Sequence, residues 1–233
     1  MQEVIFTISP NAKMEWGQYK ISHNFPKRLF DIAFSLFVLL FLSPLYLLIA
    51  LAIKCSSKGS VFYKSRRLGR GGVLFDCLKF RTMDEMDDAD FSRLLSSNPS
   101  LAKEWAEFHK LKNDPRITRI GRFLRKTSLD ELPQFLNVLK GNLSVVGPRA
   151  PHLGNDVRSY EAAIKRLYQG KVEKILSVRP GITGIWQVSG RNELSTKKRC
   201  ELEAYYAERP SFWQDIKLLC KTIPAVLRAK GAF

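Results

Sequence analysis

One stretch of the chain breaks the usual alternation of hydrophobic and polar positions. From Leu29 to Ile53 it reads LFDIAFSLFVLLFLSPLYLLIALAI, 25 residues in which Asp31, Ser35 and Ser43 are the only clearly polar side chains. A core helix keeps a polar face, whereas this run is long enough for a bilayer. It starts too late and runs too long for a signal peptide. Basic residues flank both ends, Lys27 and Arg28 before it and Lys54, Lys58, Lys64, Arg66 and Arg67 after it. The positive-inside rule therefore asks both ends to stay on the cytoplasmic side. Ser43-Pro44 divides the run into arms, Leu29–Leu42 and Pro44–Ile53, of about 21 and 15 Å as helices. Neither crosses a hydrocarbon core of about 30 Å. The pattern predicts a helix–break–helix that enters and leaves by one leaflet, with the Ser43 hydroxyl satisfying a carbonyl freed at the break. A kinked span is the alternative. Arg28 and Asp31, three residues apart, are expected to pair at the entrance.

The remaining pattern divides into a tail over 1–26, the anchor over 27–58 and a cytosolic domain over 59–233. VFYKSRR and VLFDCLKFRTM flank LGRGG and predict a β-hairpin turned at Gly69, Gly71 and Gly72. No GK[ST] follows these glycines, so turn geometry explains them better than a phosphate loop. Asn98-Pro99 predicts a helix running to about Leu111, and Asp156–Gly170 another, with Gly170 as its C-cap. Ile120–Lys126 is a short basic amphipathic stretch, and Ile185–Val188 reads as a short strand. Phe212–Arg228 has helical spacing interrupted by Pro224. The expected fold class is α+β, mainly helical: a reentrant anchor, then a small domain with a β-hairpin and amphipathic interface helices.

Composition narrows the partners. The 233 residues carry 38 Lys+Arg against 22 Asp+Glu, a net charge of +16. That excess calls for a polyanion: nucleic acid, a phosphorylated substrate or an anionic membrane surface. Cys55, Cys77, Cys200 and Cys220 lie far apart and read as reduced packing residues. The three histidines are scattered, which argues against zinc.

Candidate chemistry concentrates in RFLRKTSLDELPQ, residues 122–134. Asp130 and Glu131 stand after a basic turn and before Pro133. One local reading is a capping box, with Ser128 as N-cap and Glu131 at N3, although Pro133 then falls at an interior helical position. The other starts a helix at Asp130. Either way the carboxylates can offer hard oxygens to a divalent cation, with Arg122, Arg125 and Lys126 supplying positive charge for phosphates. Lys79 and Arg81 in KFRTM, Arg149 in GPR, Arg179 in RPGITG and Arg191 in SGRN are further phosphate-binding candidates. An arginine beside proline or glycine presents its fork with little backbone freedom, and several such loops suggest a collective polyphosphate pocket.

KFRTM, the run NDPRITRIGRFLRKTSLDELPQFLNVLKGNLSVVGPR and RPGITGIWQVSGRN closely resemble the bacterial sugar transferases, the monotopic polyprenyl-phosphate phosphoglycosyl transferases. The resemblance runs from about Lys27 to the C-terminus. NPSLAKEWAEFHKLKNDPRIT and KTIPAVLRAKGAF are most similar to the undecaprenyl-phosphate galactose phosphotransferase branch. Members of that branch often have several transmembrane helices ahead of the catalytic part, and this chain is expected to represent the minimal catalytic unit.

The resemblance implies a reentrant helix broken at Ser43-Pro44 and a catalytic dyad at Asp130 and Glu131. It also implies Mg²⁺ held at that dyad, a UDP-sugar donor and undecaprenyl phosphate as acceptor. Asp130 would attack the phosphate attached to the sugar and release UMP; Glu131 would hold the metal or position the acceptor. The implied place is the cytoplasmic face of the bacterial inner membrane, in polysaccharide, O-antigen or capsule synthesis. Two positions depart from the family: GPRP appears as GPRA, with Ala150, and the acidic residue before the tyrosine pair is Glu203 rather than Asp. The sugar, galactose or glucose, has no visible determinant, and the oligomeric state stays open, a homodimer included. A metal-dependent glycosyltransferase using Asp88-Ala-Asp90 and a non-catalytic membrane scaffold are the alternatives. No nucleic-acid motif accompanies the charge, so nucleic acid is not expected as a partner.

Overall fold

The computed structural model describes residues 24–108, 111, 113–151, 171–190 and 194–227. Asn24 opens helix α1 (Phe25–Phe41), its side chain accepting the Lys27 amide at 3.0 Å, and proline occupies the first turn, where no amide donor is needed. Helix α2 (Ser43–Ser56) follows after the single residue Leu42. The two axes bend by 62°, and among the described residues no single helix is long and apolar enough to cross a membrane. The break lies where the proline places it. The Ser43 hydroxyl donates to the Leu40 carbonyl at 2.8 Å, as the local chemistry predicts.

Helix α1 is inverted relative to an ordinary surface helix. Its buried residues are the polar Asp31 and Ser35, while Leu36, Phe37, Leu40 and Phe41 are exposed. Asp31 does not pair with Arg28. Its carboxylate accepts the Ser144 hydroxyl and the Val145 amide, both at 3.0 Å. Arg28 instead donates to the carbonyls of Val138 and Leu139, at 2.7 and 3.0 Å. Three-residue spacing places the two side chains on one face, but tertiary partners take both. Lys27 reaches Asp215 at 2.5 Å, so the first turn of α1 is rooted in the rest of the domain.

The hairpin forms as expected. Strands β1 (Phe62–Leu68) and β2 (Leu74–Phe80) pair antiparallel from Phe62 opposite Phe80 to Leu68 opposite Leu74. The connecting 3₁₀ turn, Arg70–Gly72, needs its glycines because Gly71 and Gly72 have φ of 73° and 69°. Helices α3 (Asp88–Ser96) and α4 (Pro99–Phe108) fold against each other through Phe91 and Trp105, with the Arg116 guanidinium 4.0 Å from the Phe91 ring centre. Helix α5 (Arg119–Thr127), a 3₁₀ turn over Leu129–Glu131 and helix α6 (Gln134–Leu139) come next.

Strands β3 (Ser144–Val146) and β4 (Gly181–Thr183) form a parallel pair, with helix α7 (Val172–Leu176) between them in sequence. The backbones of Gly147 and Gly181 approach so closely that a Cβ on Gly181 would lie 2.1 Å from the Gly147 nitrogen. Ile185–Val188 is not a strand; it is a helical turn, α8, and the strand lies just before it. Helices α9 (Thr196–Glu208) and α10 (Phe212–Leu227) close the described chain, and α10 carries Pro224 within it. The expected helix over Asp156–Gly170 lies outside the described residues.

Among the described residues two apolar clusters stand out. One joins β2, α6, β3, α9 and α10 through residues such as Phe75, Val138, Val145, Tyr206 and Leu218. The other joins α2 to β2 and α5 through Ile49, Ile53, Phe80 and Leu124. The four cysteines are free thiols.

Candidate active site

Asp130 and Glu131 sit in the 3₁₀ turn between α5 and α6. The capping box does not form: Ser128 adopts left-handed φ of 58° and makes no side-chain cap, and Pro133 stands just ahead of the first residue of α6. The proline therefore separates the turn from the helix and leaves the carboxylates on a short, tightly wound segment. Asn137 in α6 ties that segment to β2. Its side chain accepts the Leu78 amide at 2.8 Å and donates to the Asp76 carbonyl at 2.7 Å.

The register of β2 brings Lys79 to the turn. Its ammonium donates to Asp130 Oδ2 at 3.2 Å and to Glu131 Oε1 at 2.9 Å. From the opposite side Arg149 grips Glu131, with NH1 on Oε2 at 2.9 Å and NH2 on Oε1. Arg149 is held in turn: NH1 also donates to the Ile182 carbonyl at 3.0 Å, and its backbone amide donates to Glu203 Oε1 at 2.8 Å. The close Gly147–Gly181 approach fixes the loop that carries it.

These partners make the two carboxyls unequal. Burial opposes the charge on Glu131, but Arg149 and Lys79 outweigh it and hold the group well below the usual carboxylate range. Asp130 moves the other way, because burial and the neighbouring Glu131 outweigh Lys79 and raise it. Asp130 is 7% exposed. Its Oδ1 has no hydrogen-bond partner among the described residues. Behind Arg149, burial pushes Glu203 up to about 7. Burial also raises the Cys77 thiol.

The dyad lines an open cleft of about 1240 Å³, whose wall includes Lys79, Arg116, Arg125, Arg149, Trp186 and Arg199. Of the sequence-derived phosphate candidates, Lys79, Arg125 and Arg149 reach this cleft. Arg125 donates to the Thr82 hydroxyl at 2.9 Å. Arg81 borders the cleft, but its guanidinium serves the end of α2, donating to the Ser57 carbonyl and hydroxyl at 3.0 and 2.9 Å and to the Lys58 carbonyl. Arg122 is exposed on α5 and is not part of the wall. Arg179 points elsewhere, donating to the Gly141 carbonyl at 3.1 Å. Arg191 lies outside the described residues. Arg116 and Arg199 were not among the candidates. Arg116 follows Pro115, so the rule that picks out Arg149 also finds it; Arg199, inside a helix, carries no such signal.

The residues present fit a metal in a limited way. Among the described residues no group of three or more His, Cys, Asp or Glu side chains converges. Glu131 has both oxygens engaged by cations, whereas Asp130 keeps one free. Such a set suits a magnesium ion that takes one or two carboxylate oxygens and completes its shell with substrate phosphates and water. The Asp88-Ala-Asp90 tripeptide forms the start of α3, where Asp90 pairs with Arg93 on the surface.

The bacterial sugar transferase family matches residues 22–229. The exopolysaccharide production protein ExoY of Sinorhizobium fredii is 42% identical over 219 residues, covering 94% of this chain and 93% of that one. The undecaprenyl-phosphate galactose phosphotransferase of Salmonella typhimurium is 44% identical over 215 residues, 92% of this chain but 43% of its own length. The UDP-glucose:undecaprenyl-phosphate glucose-1-phosphate transferase of Klebsiella pneumoniae is 40% identical over 202 residues, 84% of this chain and 39% of that protein. The chain, with its paired carboxylates clamped by Lys79 and Arg149, is an enzyme of the bacterial sugar transferase family.

Proposed function

We propose that this enzyme transfers a sugar-1-phosphate, galactose or glucose, from a UDP-sugar to undecaprenyl phosphate at the cytoplasmic face of a bacterial inner membrane. The observation that carries the reading is the unequal pair: Glu131 locked as an anion between two cations, and Asp130 beside it with a free oxygen in a basic cleft. In the first step an Asp130 oxygen forms a bond to the phosphorus attached to the sugar, and the bond from that phosphorus to the UMP oxygen breaks. UMP leaves and an aspartyl-phosphosugar remains. In the second, an oxygen of the lipid phosphate attacks the same phosphorus, the bond to Asp130 breaks, and the carboxylate returns. No net proton is needed in either step. Lys79, Arg125 and Arg149 offset charge on the phosphoryl oxygens, the main task in such transfers. Magnesium, held through Asp130 and the donor phosphates, would add to that neutralisation.

The relatives named for undecaprenyl-phosphate transfer support the acceptor and the donor class. The inverted helix α1 supports the membrane. Phe37, Leu40 and Phe41, with Leu47, Leu48 and Leu51 of α2, are all more than 60% exposed, an apolar surface that soluble monomers rarely leave uncovered. The bent pair is read as a reentrant anchor, with the domain on one side.

The test follows UMP with a panel of UDP-sugars, Mg²⁺ and undecaprenyl phosphate. Without lipid, wild-type enzyme should release about one UMP per active site and gain a phosphosugar on Asp130, visible by intact mass and peptide mapping. Asp130→Asn, nearly isosteric, should fold normally, release no UMP and gain no mass. UDP release instead of UMP would identify a glycosyltransferase, and no nucleotide release with any donor a scaffold.

A further inference from the structure

Helix α2 packs behind residues that line the cleft. Ile49 and Ile53 pack with Phe80 and Leu124 in a cluster that also takes in Leu129 and Leu132. Phe80 follows Lys79 in the chain, and Leu129 and Leu132 bracket the dyad. Apolar packing of this kind is non-directional. One polar contact at this end adds direction to it. The Tyr46 hydroxyl donates to the Leu132 carbonyl at 2.6 Å, while its ring lies against Phe80 with centroids 5.5 Å apart. The far end of the arm is closed by the Arg81 bonds to Ser57 and Lys58. Tyr46 thus touches two of the pieces of chain that carry charge at the site, the strand of Lys79 through Phe80 and the end of the Asp130–Glu131 turn through Leu132.

We infer that Tyr46 is a positioning residue for the catalytic turn, joining the membrane arm to the Asp130–Glu131 segment so that the turn keeps its reactive geometry only with the arm seated. The inference rests on the transfer reaction and membrane arm proposed above. The Leu132 carbonyl also accepts the Phe135 amide at 3.1 Å, so loss of the tyrosine hydroxyl leaves it satisfied while removing the tether. Small displacements of a catalytic group can lower a rate by up to about two orders of magnitude.

The full chain in lipid nanodiscs, as wild type, Tyr46→Phe and Ile49→Val, separates positioning from packing. Tyr46→Phe should lower kcat for UMP release about tenfold, with KM for the UDP-sugar within about twofold of wild type. Hydrogen exchange of the peptide spanning 129–135 should become faster. Ile49→Val removes a methyl group from the same cluster without touching the tether; it should lose stability yet keep kcat and the exchange rate. Wild-type kcat and exchange in Tyr46→Phe, an equal loss of kcat in Ile49→Val, or a Tyr46→Phe chain that does not fold would each overturn the inference. Inactivity of the wild type with every donor would instead strike at the transfer reading. The exchange comparison decides the role of Tyr46 in that case too.

Discussion

Arg149 meets Glu203 through its backbone and Glu131 through its side chain, so one residue links a charged pair to a buried acid. Burial raises Glu203 from the usual carboxylate range to about 7. An acid whose folded pKa lies above its unfolded one binds more protons when folded, so its contribution to stability is fullest below about 4.3 and declines as pH rises toward 7. Glu203→Gln keeps an acceptor for the Arg149 amide and removes the charge. Melting curves from pH 5 to 8 should show the variant gaining on wild type as pH rises, by about 1–3 kcal/mol at pH 8. A difference that does not change with pH would show that Glu203 does not titrate there. The dyad itself was legible as an acidic pair before a proline in a basic stretch, and the family resemblance gave it a role. Its clamp was not, because Lys79 and Arg149 come from positions 51 and 18 residues from their acidic partners. No local spacing encodes such pairings.

At the scale of elements, the break between α1 and α2 depends on two adjacent residues. Ser43 caps the Leu40 carbonyl, and Pro44 supplies no amide to continue the ladder. Pro44→Leu should straighten the 62° bend and let part of the population span the bilayer. Single cysteines at Asn24 and Ser60, in a chain with the exposed Cys55 and Cys220 replaced by serine, report the outcome with an impermeant thiol reagent on intact cells. The Pro44 chain should be shielded at both sites, and Pro44→Leu should expose one. Labelling of the parent from outside would reject the reentrant reading. This element was readable because proline acts locally. The mistaken strand at Ile185–Val188 shows the opposite case: four residues carry no usable period, and the neighbouring Gly181–Thr183 becomes a strand only because β3, some 35 residues earlier, pairs with it.

Across the whole molecule, Asp215 joins three helices. It accepts Lys27 from α1 at 2.5 Å and Tyr206 from α9 at 2.6 Å, while belonging to α10 and being 0% exposed. Removing one partner of a buried pair leaves the other uncompensated. Asp215→Ala should therefore cost about 3–5 kcal/mol in thermal or denaturant unfolding, and added salt should recover little of it because the pair is shielded from solvent. A loss under about 1 kcal/mol would show that Lys27 simply turns out to water. The sequence could not announce this junction, since its members are separated by up to 188 residues.

The contact between Lys79 and both carboxylates has a further meaning for the resting enzyme. With both carboxylates ionised, the dyad and its two cations together carry no net charge, so the phosphates of the proposed donor would meet a site whose Lys79 ammonium is already engaged. On the transfer proposed above, donor binding would be an ion exchange: phosphate oxygens would compete with Asp130 for Lys79, so that Asp130 would lose its counter-ion as the donor phosphate took it up. Until then, the same ammonium masks one oxygen of Asp130.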